Sequence, residues 1–152
     1  MKKGVFVVTH ADENSAILKD VSDNQVHTLS SNPGVEENEV IEGVLDTEPP
    51  MNVTWELTDI ERRWSVSIRS INESPSERAL EVADSKDMGE VHVEDLRNGT
   101  LHVLTTPPDI TEVAVEDILN DESTLVRAAD LGAKKVEIRA EEGVISVRYL
   151  PD

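Results

Sequence analysis

The stretch Val53-Thr54-Trp55-Glu56-Leu57-Thr58, followed by Trp64-Ser65-Val66-Ser67-Ile68, carries the clearest structural pattern in this 152-residue chain. Apolar and polar side chains alternate in both segments, which is typical of β-strands with one buried face. Glu61-Arg62-Arg63 lies between them, so the pattern predicts a β-hairpin. Its two tryptophans could stack on a planar ligand, but alternation in step with valine, leucine and isoleucine favours core packing.

Shorter runs rich in β-branched residues precede this hairpin and predict further strands. They occupy residues 5–8, 15–19, 25–29 and 39–45, with turn signals at 20–24 and at Asn32-Pro33-Gly34. Gly43 lies inside the last run, where it predicts a bulge or bend that lets a small sheet curl. The first half of the chain is therefore predicted to be a small antiparallel β-barrel.

Helix signals appear only in the second half. Ser74-Pro75-Ser76-Glu77 has the spacing of a capping box, which predicts a helix with Ser74 as N-cap that ends near Lys86. Asp109-Ile110-Thr111-Glu112 is predicted to cap a second helix, whose inner face would contain Ile110, Val113, Ala114 and Ile118. A third helix is predicted over residues 122–131, burying Leu125, Ala128 and Ala129 and ending at Gly132.

Three strands complete the predicted second half. Residues 100–105 form one strand, and residues 136–140 and 144–150 form a closing hairpin around Glu141-Glu142-Gly143. The segment around His92 and Leu96 is ambiguous. The sequence thus predicts an α+β protein, with a barrel-like domain at 1–72 and a domain at 73–152 that has about three helices and a three-stranded antiparallel sheet. Two units of this size have modest cores, so we expect them to pack against each other.

Acidic residues outnumber basic residues by 32 to 14, giving a formal net charge of −18. The excess is not confined to a tail, because residues 1–73 carry 14 acids and 6 bases and residues 74–152 carry 18 and 8. Such repulsion destabilises a compact state in dilute buffer, whereas about 1 M salt shortens the screening length to about 3 Å. An evenly spread excess favours a protein of an extreme halophile over an acidic interaction protein, whose charge usually lies in blocks.

The absence of cysteine excludes disulfides, thiolate metal sites and cysteine nucleophiles. The apolar run after Lys2 and Lys3 ends at Thr9, which is too short for a signal peptide or a membrane span. We therefore expect a cytoplasmic protein without a membrane partner.

Four segments resemble a conserved, functionally uncharacterised haloarchaeal protein family over nearly the whole chain. They are Gly4-Val5-Phe6-Val7-Val8-Thr9-His10-Ala11-Asp12, Gln25-Val26-His27-Thr28-Leu29, Glu48-Pro49-Pro50-Met51 before Val53-Thr54-Trp55-Glu56, and Val144-Ile145-Ser146-Val147-Arg148-Tyr149-Leu150-Pro151. This resemblance implies a salt-rich habitat and carries over no active-site residue.

The order of strands in the first half, including Glu39-Val40-Ile41-Glu42-Gly43-Val44, also resembles S1-type oligonucleotide-binding barrels. Such barrels bind single-stranded RNA by stacking bases on surface aromatic residues. The resemblance implies Phe6 and His27 as stacking residues. A cationic patch would also be needed, and the adjacent pair Arg62 and Arg63 offers one, although a solvated turn or strand end is the better explanation of each adjacent basic pair. Lys134 and Lys135 form the other adjacent pair inside the chain.

No stretch carries the sequence signature of a catalytic or cofactor site. Two of the four histidines lie near carboxylates in the sequence. His10 is close to Asp12 and Glu13, and His92-Val93-Glu94 lacks the cysteines that a deaminase zinc site requires. His27 and His102 fall in strand-like runs and are most simply buried structural residues. We predict no catalytic, cofactor-binding or metal-binding residue.

Three function classes remain open from the sequence. The first is a non-catalytic intracellular binding or adaptor protein of an extreme halophile, whose partner is another protein and whose interface is an exposed apolar patch. The second is an RNA-associated protein that uses the first-half barrel and requires Phe6 and His27 to be exposed. The third is a small metal-dependent or hydrolytic enzyme, which requires a cleft where histidine and carboxylates converge.

Overall fold

A computed structural model describes residues 1–152 as a mixed α+β protein with three α-helices and two five-stranded sheets. The strands are β1 (Lys2–Ala11), β2 (Ala16–Asp20), β3 (Val26–Leu29), β4 (Glu39–Thr47), β5 (Trp55–Ser65), β6 (Ser67–Ser70), β7 (Val91–Leu96), β8 (Gly99–Thr105), β9 (Lys135–Glu141) and β10 (Val144–Leu150). The helices are α1 (Glu77–Asp84), α2 (Thr111–Asn120) and α3 (Glu122–Leu131), with a short 3-10 helix at Pro108–Ile110.

The chain divides into two compact units, each built around one sheet. The first contains Met1–Val66 and Leu125–Asp130, and the second contains Ser67–Thr124 and Leu131–Asp152. The main division therefore falls before the predicted boundary at residue 72, because residues 67–70 form β6 and pair with β9 in the second sheet.

The first sheet is a closed ring with the order β1-β2-β3-β5-β4, in which β4 pairs back onto β1. Its pairs are antiparallel except for the single parallel contact between Leu29 of β3 and Trp55 of β5. The ring encloses an apolar core whose largest members are Phe6, Leu18 and Ile41, all fully buried. Burial of such side chains is the main source of stability in a unit of this size.

The predicted hairpin over residues 53–68 is wrong, because β5 is one continuous strand. Glu61-Arg62-Arg63 does not turn but continues the antiparallel ladder with β4. Most side chains of β5 are exposed, so charged residues can remain in the strand while their backbone stays paired. Residues after Val66 then pair in parallel with β9.

Gly43 lies at a register shift between β4 and β5, as predicted for a bulge. A Cβ atom at this position would lie 2.2 Å from the backbone oxygen of Asp59. Only glycine allows the two strands to approach this closely.

The second sheet has the order β6-β9-β10-β8-β7 and so contains five strands, not the predicted three. The predicted strands are confirmed as β8, β9 and β10. The two missed strands are the edges: β6 pairs in parallel with β9, and β7 pairs antiparallel with β8. Edge strands have one neighbour and less burial, so their apolar pattern is weaker.

The predicted helix starts need two corrections. In α1 the N-cap is Ser76, whose hydroxyl accepts a hydrogen bond from the Ala79 amide at 3.2 Å, and not Ser74. Helix α2 begins at Thr111 without a side-chain cap, because Asp109 lies inside the preceding 3-10 turn.

The predicted inner face of α2 is partly wrong. Ile110 and Val113 are 44% and 60% exposed, whereas Thr111 and Val115 are buried. The other two predicted residues, Ala114 and Ile118, are half-buried on the same side as Thr111 and Val115. The prediction began the helix at Asp109 and Ile110, which lie in the 3-10 turn. The α-helix begins later, at Thr111, so a different set of residues faces the core. The predicted bounds of α3 are confirmed, as is the burial of its apolar residues Leu125, Ala128 and Ala129.

Candidate functional site

The two predicted stacking residues, Phe6 and His27, are not on the surface. Phe6 is fully buried in the first core and His27 is 3% exposed. Their rings meet edge to face with centroids 5.9 Å apart, and the His27 ring makes a second edge contact with Trp55 at 4.6 Å. An RNA base cannot stack on rings that the protein itself covers, so these residues do not form the predicted RNA-binding face.

His27 belongs instead to a polar cluster tied to the start of β1. The Lys2 ammonium lies 2.8 Å from His27 Nε2, and since lysine can only donate, Nε2 must accept and Nδ1 must carry the proton. Burial, followed by the nearby Lys2 charge, lowers the pKa of His27. The imidazole is therefore held neutral, and its buried Nδ1 has no hydrogen-bond partner.

The same lysine contacts two carboxylates. Lys2 Nζ lies 3.2 Å from Asp20 and 3.0 Å from Asp23. Burial opposes the charge of Lys2, but the hydrogen bonds to Asp23 and Asp20 outweigh it and raise the lysine pKa. Burial likewise opposes ionisation of Asp20, but hydrogen bonds from Ser22 and Lys2 leave its pKa lowered. This cluster ties β1 to β2 and β3, which is a structural role.

The two predicted cationic contacts, Arg62 and Arg63, are already engaged. Arg63 makes two hydrogen bonds to the Glu39 carboxylate, at 2.9 and 2.7 Å, and a third to the Gly34 carbonyl at 3.1 Å. Arg62 lies 4.9 Å above the Trp64 ring and 3.7 Å from Glu42. Both guanidinium groups therefore stabilise the first sheet, and a phosphate backbone would have to displace their partners.

His10 lies near carboxylates on an exposed surface, with Nδ1 3.4 Å from Glu37 and Nε2 3.8 Å from Asp12. No group of three or more His, Cys, Asp or Glu side chains has the geometry to hold a metal ion. Two open clefts, of about 660 and 670 Å³, are rich in Asp and Glu, but neither is lined by a histidine. His92 and His102 lie on neighbouring strands, and His102 contacts the Tyr149 ring at 5.0 Å.

The outer edge of the second sheet is formed by a strand that exposes apolar side chains. Strand β7 pairs only with β8, so its other edge presents unpaired backbone groups. Val91 and Val93 are 53% and 56% exposed on one face of this strand, and Met88, just before it, is 62% exposed. We call Met88, Val91, Val93 and the unpaired side of β7 the β7 edge.

The other face of β7 is firmly anchored. Leu96 packs against the cluster formed by α1 and β8. Arg78 of α1 donates to the Glu94 carboxylate at 2.6 Å, and His92 Nε2 lies 3.5 Å from the same group. The exposed valines therefore belong to an ordered strand and not to a loose end.

Sequence reasoning left the β7 segment ambiguous. Val91-His92-Val93-Glu94 does alternate, which is the signal that could have identified a strand. It was weak because both faces mix polar and apolar residues.

Comparison with known proteins places the chain in a family. The chain belongs to the Family of unknown function (DUF5812), whose model matches residues 2–140. No curated protein and no solved structure matches it. The DUF5812 match covers the first sheet and strands β6, β7 and β8 of the second, ends within β9 and does not include β10. None of the helices in this DUF5812 chain has the length and apolar character needed to cross a membrane.

Proposed function

We propose that this chain is a non-catalytic binding protein whose β7 edge pairs with an extended segment of a protein partner. One observation carries the proposal: an ordered edge strand that exposes two valines and unpaired backbone groups. An added strand would satisfy those backbone groups and cover the valines, which is a recurring way in which sheets bind peptides. Natural sheet edges are usually protected from pairing, so an apolar edge suits a docking role.

The charge around the β7 edge favours a cationic partner. Asp87, Glu90 and Asp95 are exposed along or beside the strand, with Arg97 at its far end. The whole chain carries a formal charge of −18, which would also attract a basic segment and repel an acidic one. The proposed occupant is an extended segment with alternating apolar side chains and flanking lysine or arginine residues.

The proposed setting is the cytoplasm of a halophilic cell. The support is the evenly spread acidic excess, together with the lack of cysteine. Such an environment weakens electrostatic attraction, so the apolar contact and the backbone hydrogen bonds of an added strand would contribute most of the affinity. Charge would then mainly select the partner.

The closed ring of five strands supports the interpretation of the first unit as an oligonucleotide-binding-type fold, because such folds are five-stranded Greek-key barrels. RNA binding through Phe6, His27, Arg62 and Arg63 is not proposed, because the first two are buried and the last two are paired within the protein. RNA capture is instead one outcome of the test.

The test compares partner capture by three proteins in KCl at about 2 M, where surface charge is strongly screened. They are the tagged wild type, Val93→Lys, and Val113→Lys as a matched control at another exposed valine. We expect one protein to be captured by the wild type and by Val113→Lys but lost with Val93→Lys. The purified partner should then slow hydrogen exchange of β7 amides and leave β3 amides unchanged.

Three results would overturn the proposal. The first is equal capture by Val93→Lys, and the second is protection of amides away from β7. The third is recovery of RNA in place of a protein. The remaining alternative occupant of the β7 edge is a second copy of this chain. Sedimentation of the purified wild type tests it, because self-association that Val93→Lys abolishes would assign the β7 edge to that second copy.

A further inference from the structure

Basic side chains that are far apart in sequence come together on one face of the second sheet. The pairing register places Arg148 of β10 opposite Glu137 of β9, and Glu137 opposite Arg69 of β6. In the next row Ser146 lies opposite Arg139. Directly opposed residues share a face of the sheet, so we call Arg69, Arg139, Ser146 and Arg148 the arginine face.

The arginine face lies on the same side of the sheet as α1. Arg148 is opposite Leu101 and Ser146 is opposite Val103 in β8. Leu101 and Val103 pack against Ala79, Val82 and Ala83 of α1. The arginine face therefore continues the α1 side across β10, β9 and β6, away from the β7 edge.

Three polar atoms of this face are buried and have no hydrogen-bond partner. They are Nε of Arg139, Nε of Arg148 and Oγ of Ser146. Ser146 as a whole is only 1% exposed. A buried donor without a partner costs free energy, and three of them within two neighbouring rows indicate that an external group completes them.

The charge balance on this face is the reverse of that of the whole chain. Arg139 lies 3.2 Å from Glu73 and 3.8 Å from Glu137, and Lys135 lies on the same side of β9, two residues from Glu137. Glu141 also lies on this side of β9, opposite Val144, and accepts a hydrogen bond from Ser74. None of these three glutamates makes an ion pair with Arg148. In a chain with 32 acids and 14 bases, a half-buried arginine without a carboxylate leaves a place for an anion.

We infer that the arginine face binds a phosphate group. A guanidinium fork offers two parallel N–H donors that match two oxygens of a phosphate. Arg148 has no carboxylate partner and offers this fork. Arg139 keeps Glu73 at Nη1 and Glu137 at Nη2 and adds only its Nε–H from the neighbouring strand. The Ser146 hydroxyl, opposite Arg139 and two residues from Arg148, is a further donor. A tetrahedral oxyanion with several acceptor oxygens fits such a set.

The phosphate could be inorganic or could be the monoester group of a small metabolite, since both present the same terminal oxygens. Inorganic phosphate and glycerol phosphate distinguish these sources. A phosphodiester chain such as RNA is a different class of ligand and serves as a competing outcome.

The test follows the arginine Nε–H signals of ¹⁵N-labelled protein by NMR. Inorganic phosphate is added in KCl at constant ionic strength, so that general screening does not change. We expect the Arg148 and Arg139 signals to shift and saturate. Arg148→Gln should weaken binding by about tenfold or more, and Ser146→Ala by several fold, as expected when a charge-assisted hydrogen bond is removed.

Arg97→Gln is the matched control, because it removes one exposed arginine from the β7–β8 turn. It should change the affinity by less than about twofold, since it removes only a screened surface charge. Tighter binding of glycerol phosphate than of inorganic phosphate would support a metabolite ligand, and equal binding would support the free ion.

Three results would overturn the inference. One is a chemical-shift change that grows with phosphate concentration without saturating. Another is an equal loss of phosphate affinity in Arg97→Gln and Arg148→Gln. The third is binding of single-stranded RNA alone, with no response to either small phosphate. Thermal unfolding checks that the variants fold, and phosphate should raise the Tm of the wild type but not of Arg148→Gln.

Discussion

Arg78 donates two hydrogen bonds to the Glu94 carboxylate, from Nη2 to one oxygen at 2.6 Å and from Nε to the other at 3.1 Å. This hydrogen bonding lowers the pKa of Glu94 to about 2, with a smaller contribution in the same direction from His92. The contact links α1 to β7 and holds the strand that carries the β7 edge.

Replacing Arg78 tests this account of Glu94. In Arg78→Gln we expect the pKa of Glu94 to return toward its ordinary value of 4.5, measured by NMR titration of the carboxyl carbon. A lowered folded-state pKa stabilises the protein above pH 4.5, and that contribution disappears as the pH falls toward 2. The variant should therefore lose less stability than the wild type over this acid range.

Arg97→Gln is again the control, since it leaves the Arg78 contact intact. An unchanged Glu94 titration in Arg78→Gln would show that the low pKa has another origin.

Buried residues show what residue type alone could and could not indicate. His27 was open to two interpretations, and the structure supports the structural one: the ring is enclosed by Phe6, Trp55 and Lys2. Phe6 was assigned to a surface by resemblance. Phe6 lies in the continuous apolar run Val5-Phe6-Val7-Val8, and a run without alternation does not indicate which of its side chains would be exposed.

Among the elements, α1 shows how a repeated serine misled the cap prediction. Ser74 and Ser76 both precede the helix, and Ser76 occupies the N-cap while Ser74 donates to Glu141 at 2.5 Å. Pro75 is buried between them, and the helix begins two residues later than the capping-box pattern suggests.

The two serines provide a matched pair for a stability test. Ser76→Ala should lower the free energy of unfolding by about 1 kcal/mol, since it removes the acceptor for the Ala79 amide. Ser74→Ala, at an exposed position, should lower it by no more than about 0.5 kcal/mol. Urea denaturation, followed through signals from residues of the second unit, measures both changes in the free energy of unfolding. An equal change in the two variants would contradict the assignment of Ser76 as the N-cap.

Strand β5 shows the opposite difficulty. Its charged centre suggested a turn, yet it stays paired because β4 provides a partner along its length. A strand's partner lies outside its own sequence, so local polarity could not distinguish an exposed strand from a loop.

For the whole molecule, the charge of −18 governs how stability depends on salt. We expect the free energy of unfolding to rise as KCl increases from dilute buffer to about 2 M, because the ions screen repulsion within the folded state. Urea unfolding at each salt concentration measures it.

A charge-reduced variant separates screening from general salt effects. This variant combines Glu112→Lys, Glu116→Lys and Asp117→Lys, all at exposed positions of α2. Its free energy of unfolding should depend less on KCl concentration than that of the wild type. A wild type that is fully stable in dilute buffer, with no gain from KCl, would contradict the salt-adaptation hypothesis.

The sequence by itself determined what local physics encodes. Helix α3 and its glycine stop, the β9–β10 hairpin, the Gly43 bulge and the mixed α+β class follow from periodicity and turn chemistry over short windows. Composition also established the acidic excess and excluded thiol chemistry.

Tertiary structure alone decided which strands meet and what they bring together. Arg69, Arg139 and Arg148 share a surface only because the register of β6, β9 and β10 aligns them. The exposure of Val91 and Val93 follows from the place of β7 at the sheet's edge. Register and neighbour choice depend on long-range contacts between elements, and a local pattern of side chains does not contain that information.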